Sequence, residues 1–380
     1  MNHPASHIFE FTPDSLAEWC VDRGLAKYRA EQILEWVYVK GVADPHEMSN
    51  LGKGDRDLLA SEMTFESCDV LTHQLATDGT QKMLVEWREE GTKERRHEGT
   101  EGEEGAASLR VVGSGGDPAR QTECVMIPAE GEEKSRRTAC ISSQVGCPVG
   151  CRFCASGLGG LDGNLSAGRI VEQVWKLARL EGVGRITNVV FMGMGEPLAN
   201  LPAVIPAVRT LAAPWGLGVG ARKITISTVG LPKAILNLAD QLDLPVTLAL
   251  SLHAPTDELR RKLIPWSEYT TIDELFAACR AWFAKTGREI TLEYILLGGV
   301  NDRKDHASAL AALAKTLRAN VNLIRYNEVD GLPFRRPISQ DVHEFQRILR
   351  ARGVNSHIRA SRGRDIAAAC GQLRHEAQTS

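Results

Sequence analysis

Apolar residues recur at two different spacings along the chain, and the change of spacing divides it. In residues 13–65 they fall three to four positions apart, most clearly in YRAEQILEWVY, which is the period of an amphipathic helix. From about residue 69 they alternate with polar residues in CDVLTHQLA and QKMLVEWRE, which flank the turn pair Asp78 and Gly79. The pattern therefore predicts a small helical unit followed by a β-hairpin.

Strand and helix patterns alternate from Thr138 onward. The strand candidates are TACISSQ, NVVFMG, KITIST, VTLALSL, EITLEYIL and VNLIRYN, and helical patterns such as GRIVEQVWKLARLEG lie between them. Repeated strand–helix units place their strands parallel in one sheet. Six units are too few to close an eightfold barrel, so we expect an α/β fold built as an open, partial (β/α)6 barrel.

The chain between the hairpin and the barrel contains a polar stretch. Residues 88–119 are rich in Glu, Arg and Gly and have too few apolar side chains to pack, which indicates a surface insertion without an assigned function. We therefore predict four segments. They are a helical unit at 1–68, a hairpin linker at 69–132 that holds the insertion, an α/β core at 133–365 and a C-terminal segment at 366–380.

Composition limits where the protein works. The chain has 380 residues, of which 43% are hydrophobic and 24% charged, and its net charge is −3. It contains no apolar run long enough for a membrane span and no secretion signal at its start, so we expect a cytoplasmic protein. Its nine cysteines then favour metal ligation or redox chemistry over a disulfide framework. Any contact with nucleic acid would need a local basic patch.

Three of the cysteines form the run Cys147, Cys151 and Cys154 in VGCPVGCRFCASG. A structural zinc site is closed by four ligands, whereas three thiolates on one short loop leave one iron of a four-iron, four-sulfur cluster without a protein ligand. The spacing therefore predicts such a cluster, with an open iron at which chemistry can occur. A structural metal knuckle or three unrelated thiols are the alternatives.

Further polar residues follow the predicted strands, where the active site of such a barrel forms. They are Gly195 and Glu196 after the second strand, Ser227 at the end of the third, Ser251, Leu252 and His253 at the end of the fourth, and Asn327 after the sixth. Each of these residues, taken alone, has a simpler structural explanation. Glu196 could only cap a helix, and His253 could be a hydrogen-bonded structural histidine.

Two more cysteines lie outside the cluster loop. Cys140 stands seven residues before Cys147, where a buried core residue of the first strand is equally expected. Cys370 precedes a glycine near a basic C-terminal stretch, and nearby arginines favour a reactive thiolate.

The motifs ACISSQVGC, FMGMGEPL, ITISTVG, LSLHAP, VNLIRYN and ACGQL, in this order, resemble the RlmN/Cfr family of radical S-adenosylmethionine (SAM) RNA methyltransferases. The resemblance implies a 4Fe-4S cluster bound by the three loop cysteines, with SAM binding exchangeably to the open iron. It also implies that two SAM molecules are used for each methyl group transferred. It also implies a low-potential electron donor such as flavodoxin or ferredoxin. The SAM contacts would be Gly195, Glu196, Ser227, Ser251, Leu252, His253 and Asn327.

The same resemblance assigns roles to three residues. Cys370 would carry the methyl group as S-methylcysteine, and Cys140 would resolve the covalent RNA adduct, leaving a Cys140–Cys370 disulfide that is reduced externally. Glu123 in TECVMIP matches a position regarded as a proton acceptor.

The implied substrate is carbon 2 of an adenosine in 23S rRNA, and additionally the adenosine next to the anticodon of tRNA. Methylation of carbon 8 of the rRNA adenosine uses the same cysteines and stays open. A radical SAM enzyme acting on a peptide or small molecule would not need a methyl-carrying thiol, and a non-enzymatic RNA-binding module with a structural metal is the remaining alternative. We expect a monomer. Its RNA contacts would be the N-terminal helical unit and a basic set comprising Arg335, Arg336, Arg352, His357, Arg359, Arg362 and Arg364.

Overall fold

A computed structural model describes residues 1–89, 116–129 and 136–373. Most of the predicted insertion, residues 90–115, lies outside the described residues. The N-terminal unit is helical as predicted. Its helices are α1 (Pro13–Asp22), α2 (Arg29–Leu34), which a π-helical turn at Glu35–Lys40 continues, and α3 (Lys53–Glu62).

The described strands form one ten-stranded sheet and one small hairpin. They are β1 (Cys68–Leu75), β2 (Gln81–Trp87), β3 (Gln121–Pro128), β4 (Arg137–Cys140), β5 (Gln144–Gly146), β6 (Leu161–Asn164), β7 (Asn188–Phe191), β8 (Ile224–Thr228), β9 (Thr247–Ser251), β10 (Ile290–Leu296), β11 (Ala319–Arg325) and β12 (Ser356–Arg359). The large sheet has the order β1-β2-β3-β4-β7-β8-β9-β10-β11-β12, and β5 pairs only with β6.

The sheet changes direction at β4. Strands β1 to β4 pair antiparallel, and the predicted hairpin turn at Asp78 and Gly79 is confirmed, with Gly79 in the left-handed region at φ +79°. From β4 to β12 every pairing is parallel. The carboxyl ends of seven strands therefore meet at one edge, which is where the candidate site residues lie.

Helices connect the parallel strands. They are α4 (Ala167–Leu177), α5 (Leu201–Ala212), α6 (Pro232–Gln241), α7 (Asp257–Leu263), α8 (Ile272–Thr286), α9 (Lys304–Ala314) and α10 (Ser339–Ala351). Apart from α7, their apolar faces join those of the N-terminal helices in one continuous hydrophobic cluster, whereas Leu263 of α7 packs in a second cluster with Val149 and Phe153. None of the helices in the described part of the chain is both long enough and apolar enough to cross a bilayer.

The structure corrects the predicted sheet in two places. The parallel part has a seventh strand, β12, that the sequence pattern missed, because four residues are too short for a clear alternation. The predicted strand TACISSQ is interrupted after Cys140. There Ser142 leaves the ladder, because its amide donates to the Gln173 side chain and its hydroxyl donates to the Glu123 carbonyl. This break turns the chain towards the cysteine loop.

The N-terminal unit meets the core around a buried carboxylate, Glu172 of α4. It accepts hydrogen bonds from the backbone amide and the hydroxyl of Ser67, and it lies 3.3 Å from the His7 ring nitrogen and 3.8 Å from the Lys176 ammonium. Burial opposes the charge, but these partners lower the pKa of Glu172 to about 2. Its ionised form therefore ties three segments of the fold together.

Candidate active site

The cysteine loop lies between β5 and β6 and is closed at its base by a glycine. Gly146 has φ +72°, and an added Cβ would lie 2.1 Å from the Gly160 carbonyl oxygen. The next amide, that of Cys147, donates to the same oxygen at 2.7 Å. Only glycine fits there, so the two ends of the loop are held together.

The three loop thiols are free, partly exposed and close enough to influence one another. Burial raises the pKa of Cys147, Cys151 and Cys154, and for Cys147 and Cys151 neighbouring thiols of the set raise it further. Within the described residues no three His, Cys, Asp or Glu side chains converge on a single point as ligands of one ion. A four-iron cluster does not require that convergence, since each thiolate binds a different iron. The donor set therefore fits the predicted cluster.

The glycine turn after β7 lies directly against the chain entering this loop. Gly195 has φ +106°, and an added Cβ would come within 2.7 Å of the Gln144 Cβ. The following residue, Glu196, accepts hydrogen bonds from the amides of Val229 at 2.7 Å and Leu198 at 3.0 Å. Burial raises the pKa of Glu196 to about 7 despite these donors. The carboxyl group thus bridges the ends of β7 and β8.

The ends of β8 and β9 bring the predicted serines together. The hydroxyl oxygens of Ser227 and Ser251 are 3.4 Å apart, and Leu252 is fully buried beside them. His253 adopts φ +56°, its Nδ1 accepts from the Ile295 amide at 3.1 Å, and its ring contacts Phe153 edge-on. Burial lowers its pKa to about 3, with Arg260 adding to the effect, so the ring is neutral. The Nδ1 hydrogen bond and the Phe153 contact fix the orientation of the His253 ring at the edge of the site.

The C-terminal segment returns to the cysteine loop and places Cys370 there. The Ala155 amide donates to the Gly371 carbonyl at 2.9 Å, and the Ser156 hydroxyl donates to the Leu373 carbonyl at 2.6 Å. Asn327, at the end of β11, approaches the Cys370 carbonyl with its side-chain amide at 3.5 Å. These contacts hold the last described residues on top of the loop.

Cys140 and Cys370 line the same cavity. They come from β4 and from the C-terminal segment. The other polar and sulfur-bearing side chains that line the cavity are Met192, Asn327, Arg359, Ser361 and Arg362. Both cysteines are free thiols in the structure. Residues 230 positions apart in the sequence are therefore neighbours beside the cysteine loop.

Burial works against the thiolate that the sequence favours at Cys370. Burial raises the pKa of Cys370, and it raises that of Cys140 to about 12. Arg359 lowers both values, but desolvation is the larger effect. The Arg359 guanidinium is therefore a cation that can stabilise a sulfur anion in this cavity, whereas removal from water favours the protonated thiols.

Glu123 lies close to this cavity but is not among the residues that line it. Its neighbour on the same face of β3, Val125, pairs directly with Cys140. The Glu123 carboxylate forms a buried ion pair with Lys82 of β2 at 2.8 Å. Sequence reasoning did not identify Lys82, because an inward-pointing lysine on a strand gives no signal until its partner strand is known.

The predicted basic set is not one exposed surface. Arg359 points inward, where its guanidinium lies 3.2 Å from the Met192 sulfur, and this follows from its position on the unpredicted strand β12. Arg336 bonds the side chains of Asn327 and Ser361, and Arg335 bonds the Gly298 carbonyl. Of the set, Arg335, Arg352, His357 and Arg364 are exposed.

Comparison with known proteins identifies the family. Residues 141–310 match the Radical SAM superfamily, and residues 6–64 match the ribosomal RNA large subunit methyltransferase N-terminal domain. The "Probable dual-specificity RNA methyltransferase RlmN" of Rhodopirellula baltica is 39% identical, over 97% of this chain and 91% of the relative. The protein of the same name from Thermotoga neapolitana is 40% identical, over 98% and 99%.

A solved structure agrees with these sequence relatives. The crystal structure of a radical SAM methyltransferase from Sphaerobacter thermophilus matches with a TM-score of 0.85 at 39% identity, covering 97% of this chain and 99% of that one. The fold is therefore the radical SAM α/β fold, and the partial barrel predicted from the strand–helix alternation is compatible with it. On this full-length similarity, the chain belongs to the RlmN family of radical SAM RNA methyltransferases.

Proposed function

We propose that the protein methylates carbon 2 of an adenosine in 23S rRNA and the adenosine next to the anticodon of tRNA. The observation that carries the proposal is the shared cavity of Cys140 and Cys370 beside the cysteine loop. A methyl-carrying thiol and a resolving thiol must meet at one place, and the fold brings these two there. The relatives are called dual-specificity RNA methyltransferases, which supports a second RNA substrate.

The cofactor would be held by two sets of residues. Cys147, Cys151 and Cys154 would bind the 4Fe-4S cluster, and the strand-end residues would bind SAM, namely Gly195, Glu196, Ser227, Ser251, Leu252, His253 and Asn327. Glu196 supports this role because a buried carboxyl group with a raised pKa gains a partner when an ammonium group binds. When bound, cluster and SAM supply a methyl group and a carbon radical, at a cost of two SAM per turnover.

The remaining steps fall to the chain's own side chains. Cys370 loses its thiol proton and accepts the methyl group on sulfur, assisted by the adjacent Arg359. Once the methyl carbon is bonded to the adenine ring, Glu123 accepts the proton that leaves. Cys140 then gives up its proton and attacks the Cys370 sulfur, and the carbon–sulfur bond breaks with its electron pair passing to the carbon. That carbon takes up a proton to become the methyl group, and methyladenine leaves with a disulfide remaining. An external reductant restores the two thiols.

The setting of the reaction follows from its substrate. An adenine inside a stacked helix is out of reach, so the base would be presented from a loop or flipped out. We propose that the N-terminal helical unit contacts the RNA, that flavodoxin or ferredoxin supplies the electron, and that the enzyme acts as a cytoplasmic monomer.

Mass spectrometry of nucleosides tests the proposed product. A bacterial strain lacking this activity is complemented with the wild type, with Cys370→Ala, or with Cys279→Ala, a buried thiol of α8 that serves as the matched control. We expect 2-methyladenosine in 23S rRNA and in tRNA with the wild type and the control, and none with Cys370→Ala. Appearance of 8-methyladenosine instead would show that the position assigned here is wrong.

A further inference from the structure

The turn between β1 and β2 contacts the C-terminal segment just upstream of Cys370. The Gly363 amide donates to Asp78 Oδ2 at 2.9 Å, and the Thr77 amide donates to Asp365 Oδ2 at 2.9 Å. Each segment thus supplies one carboxylate and one amide to the other. We call these four residues, Thr77, Asp78, Gly363 and Asp365, the hairpin clasp.

Charges next to the clasp reinforce it. The Arg362 guanidinium lies 4.0 Å from the Asp78 carboxylate, and the Lys82 ammonium lies 3.5 Å from the Ala367 carbonyl oxygen. Asp78 also accepts from the Thr80 amide through its other oxygen at 3.0 Å. Burial opposes the charge of Asp78, but these hydrogen bonds and Arg362 lower its pKa. The carboxylate is therefore ionised and uses both of its oxygens.

The backbone of the C-terminal segment is shaped to fit the turn. Gly363 has φ +61°, and an added Cβ would lie 2.8 Å from both the Ala368 Cβ and the Thr80 Cγ2. Ala367 adopts φ +48°, which is unfavourable for a residue with a side chain. Such conformations persist only where surrounding contacts hold them. The Ala368 amide donates to the Gly363 carbonyl at 2.8 Å and closes this loop two residues before Cys370.

Cys370 consequently lies between two anchors. Upstream, the hairpin clasp fixes residues 363–365 to the antiparallel end of the sheet. Downstream, the Gly371 and Leu373 carbonyls are bonded to the cysteine loop. Cys140 belongs to β4, and β1 to β4 form one continuous antiparallel ladder. The clasp therefore connects the segment carrying Cys370 to the same ladder that carries Cys140.

We propose that the hairpin clasp positions Cys370 against Cys140, with Asp78 as its principal positioning residue. The inference rests on the proposed function, because in that reaction the thiols of Cys140 and Cys370 must react with each other. Two groups held in one geometry react as if at high local concentration, and loosening one of them lowers that concentration. The clasp supplies this restraint from a part of the chain that takes no part in the chemistry.

The test measures disulfide formation in protein purified without its cluster. Glutathione disulfide oxidises the pair, because Cys140 and Cys370 give up two protons and two electrons while one glutathione disulfide becomes two glutathione thiols. The equilibrium constant then reports the effective concentration of one thiol towards the other. The fraction of the Cys140–Cys370 disulfide is read by peptide mass spectrometry at a series of glutathione ratios.

Three variants make the result specific. Asp78→Asn keeps the shape but offers one acceptor oxygen for two amides, and Gly363→Ala disturbs the other side of the clasp. Asp44→Asn is the control, because Asp44 accepts from the His46 amide in a similar turn of the N-terminal unit. We expect the effective concentration to fall at least tenfold in the first two variants and to be unchanged in the control. Equal values in all proteins would overturn the proposal.

Amide hydrogen exchange separates this proposal from the proposed function. In Asp78→Asn we expect residues 366–371 to exchange at least tenfold faster, with an unchanged urea midpoint for the whole protein. If the wild type forms no Cys140–Cys370 disulfide at any glutathione ratio, the proposed chemistry fails, and faster exchange in the variant still supports the clasp. Unchanged exchange at these residues would refute the clasp whatever the cysteines do.

Discussion

Glu196 is a carboxyl group in surroundings that oppose its charge. Two backbone amides and the Thr228 side chain favour the ionised form, yet burial is the larger effect and raises its pKa to about 7. A second residue, Arg359, shows the opposite balance, because it keeps its charge beside the buried Glu293 and two thiols. In the two residues the balance between burial and local partners therefore has opposite outcomes, and groups with perturbed pKa values of this kind are typical of functional sites.

The pH dependence of stability tests the state of Glu196. Because its folded pKa lies above the unfolded value of 4.5, its contribution is fully present below pH 4.5 and is lost as the pH rises through about 7. In the cluster-free wild type, ionisation of Glu196 should lower the free energy of unfolding by about 3 kcal/mol as the pH rises from 4.5 to 8. In Glu196→Gln that loss should be absent. Urea unfolding at these two pH values gives both differences, and equal pH dependence in the two proteins would contradict the assignment.

Replacing Arg359 tests the electrostatics of the thiol cavity. In Arg359→Met the cation that opposes burial is lost, so the pKa of Cys370 should rise further and alkylation by iodoacetamide at pH 8 should slow roughly threefold or more. Peptide mass spectrometry follows Cys370 separately from the other cysteines. Arg352→Met is the matched control, since Arg352 is exposed and bonds Ser308 on the outside. Alkylation of Cys370 at the same rate in all three proteins would count against the role of Arg359.

At the scale of elements, the site is assembled from the carboxyl ends of parallel strands. The alternation of strand and helix patterns predicts this edge, and the glycine turns after β7 and in the cysteine loop were visible as sequence motifs. Strand β12 could not be recognised in the sequence, because four residues are too short to show a periodic pattern and their place in the sheet depends on pairing with β11. The inward direction of Arg359 could not be predicted without that pairing.

The joint between the N-terminal helices and the core depends on Glu172. Its folded pKa of about 2 lies below the unfolded 4.5, so its contribution is present above pH 4.5 and is lost as the pH falls towards 2. Glu172→Gln should therefore destabilise the protein by about 3 kcal/mol at pH 7 and by much less near pH 2 to 3. Urea unfolding measures the change. The exposed Glu258, paired with Lys262 on α7, gives the control Glu258→Gln, which should behave as the wild type. If Glu172→Gln lowers the free energy of unfolding as much near pH 2 to 3 as at pH 7, the stabilisation does not come from the charge of Glu172.

At the scale of the whole molecule, the decisive contacts join residues far apart in the sequence. Asp78 and Gly363 are 285 positions apart, and Ser156 and Leu373 are 217 apart. Local patterns pointed to the cysteine loop, to the strand-end residues and to Cys140 and Cys370, because each has a motif around it. The hairpin clasp, the Lys82–Glu123 pair and the bonding of the C-terminal segment to the loop depend on tertiary pairing and carry no local signal. The places of the candidate residues were therefore predictable where motifs surround them, and the contacts that position them were not.

The central claim is that Cys370 carries the methyl group and Cys140 releases the product, and one purification tests it. Cys140→Ala can take up the methyl and bond to adenine but has no thiol to break the carbon–sulfur bond. When isolated from cells it should carry a covalent RNA adduct at Cys370, seen as a shifted band that RNase removes and that is missing from Cys140→Ala/Cys370→Ala. Normal RNA methylation by Cys140→Ala, or an adduct that persists in the double variant, would contradict the account.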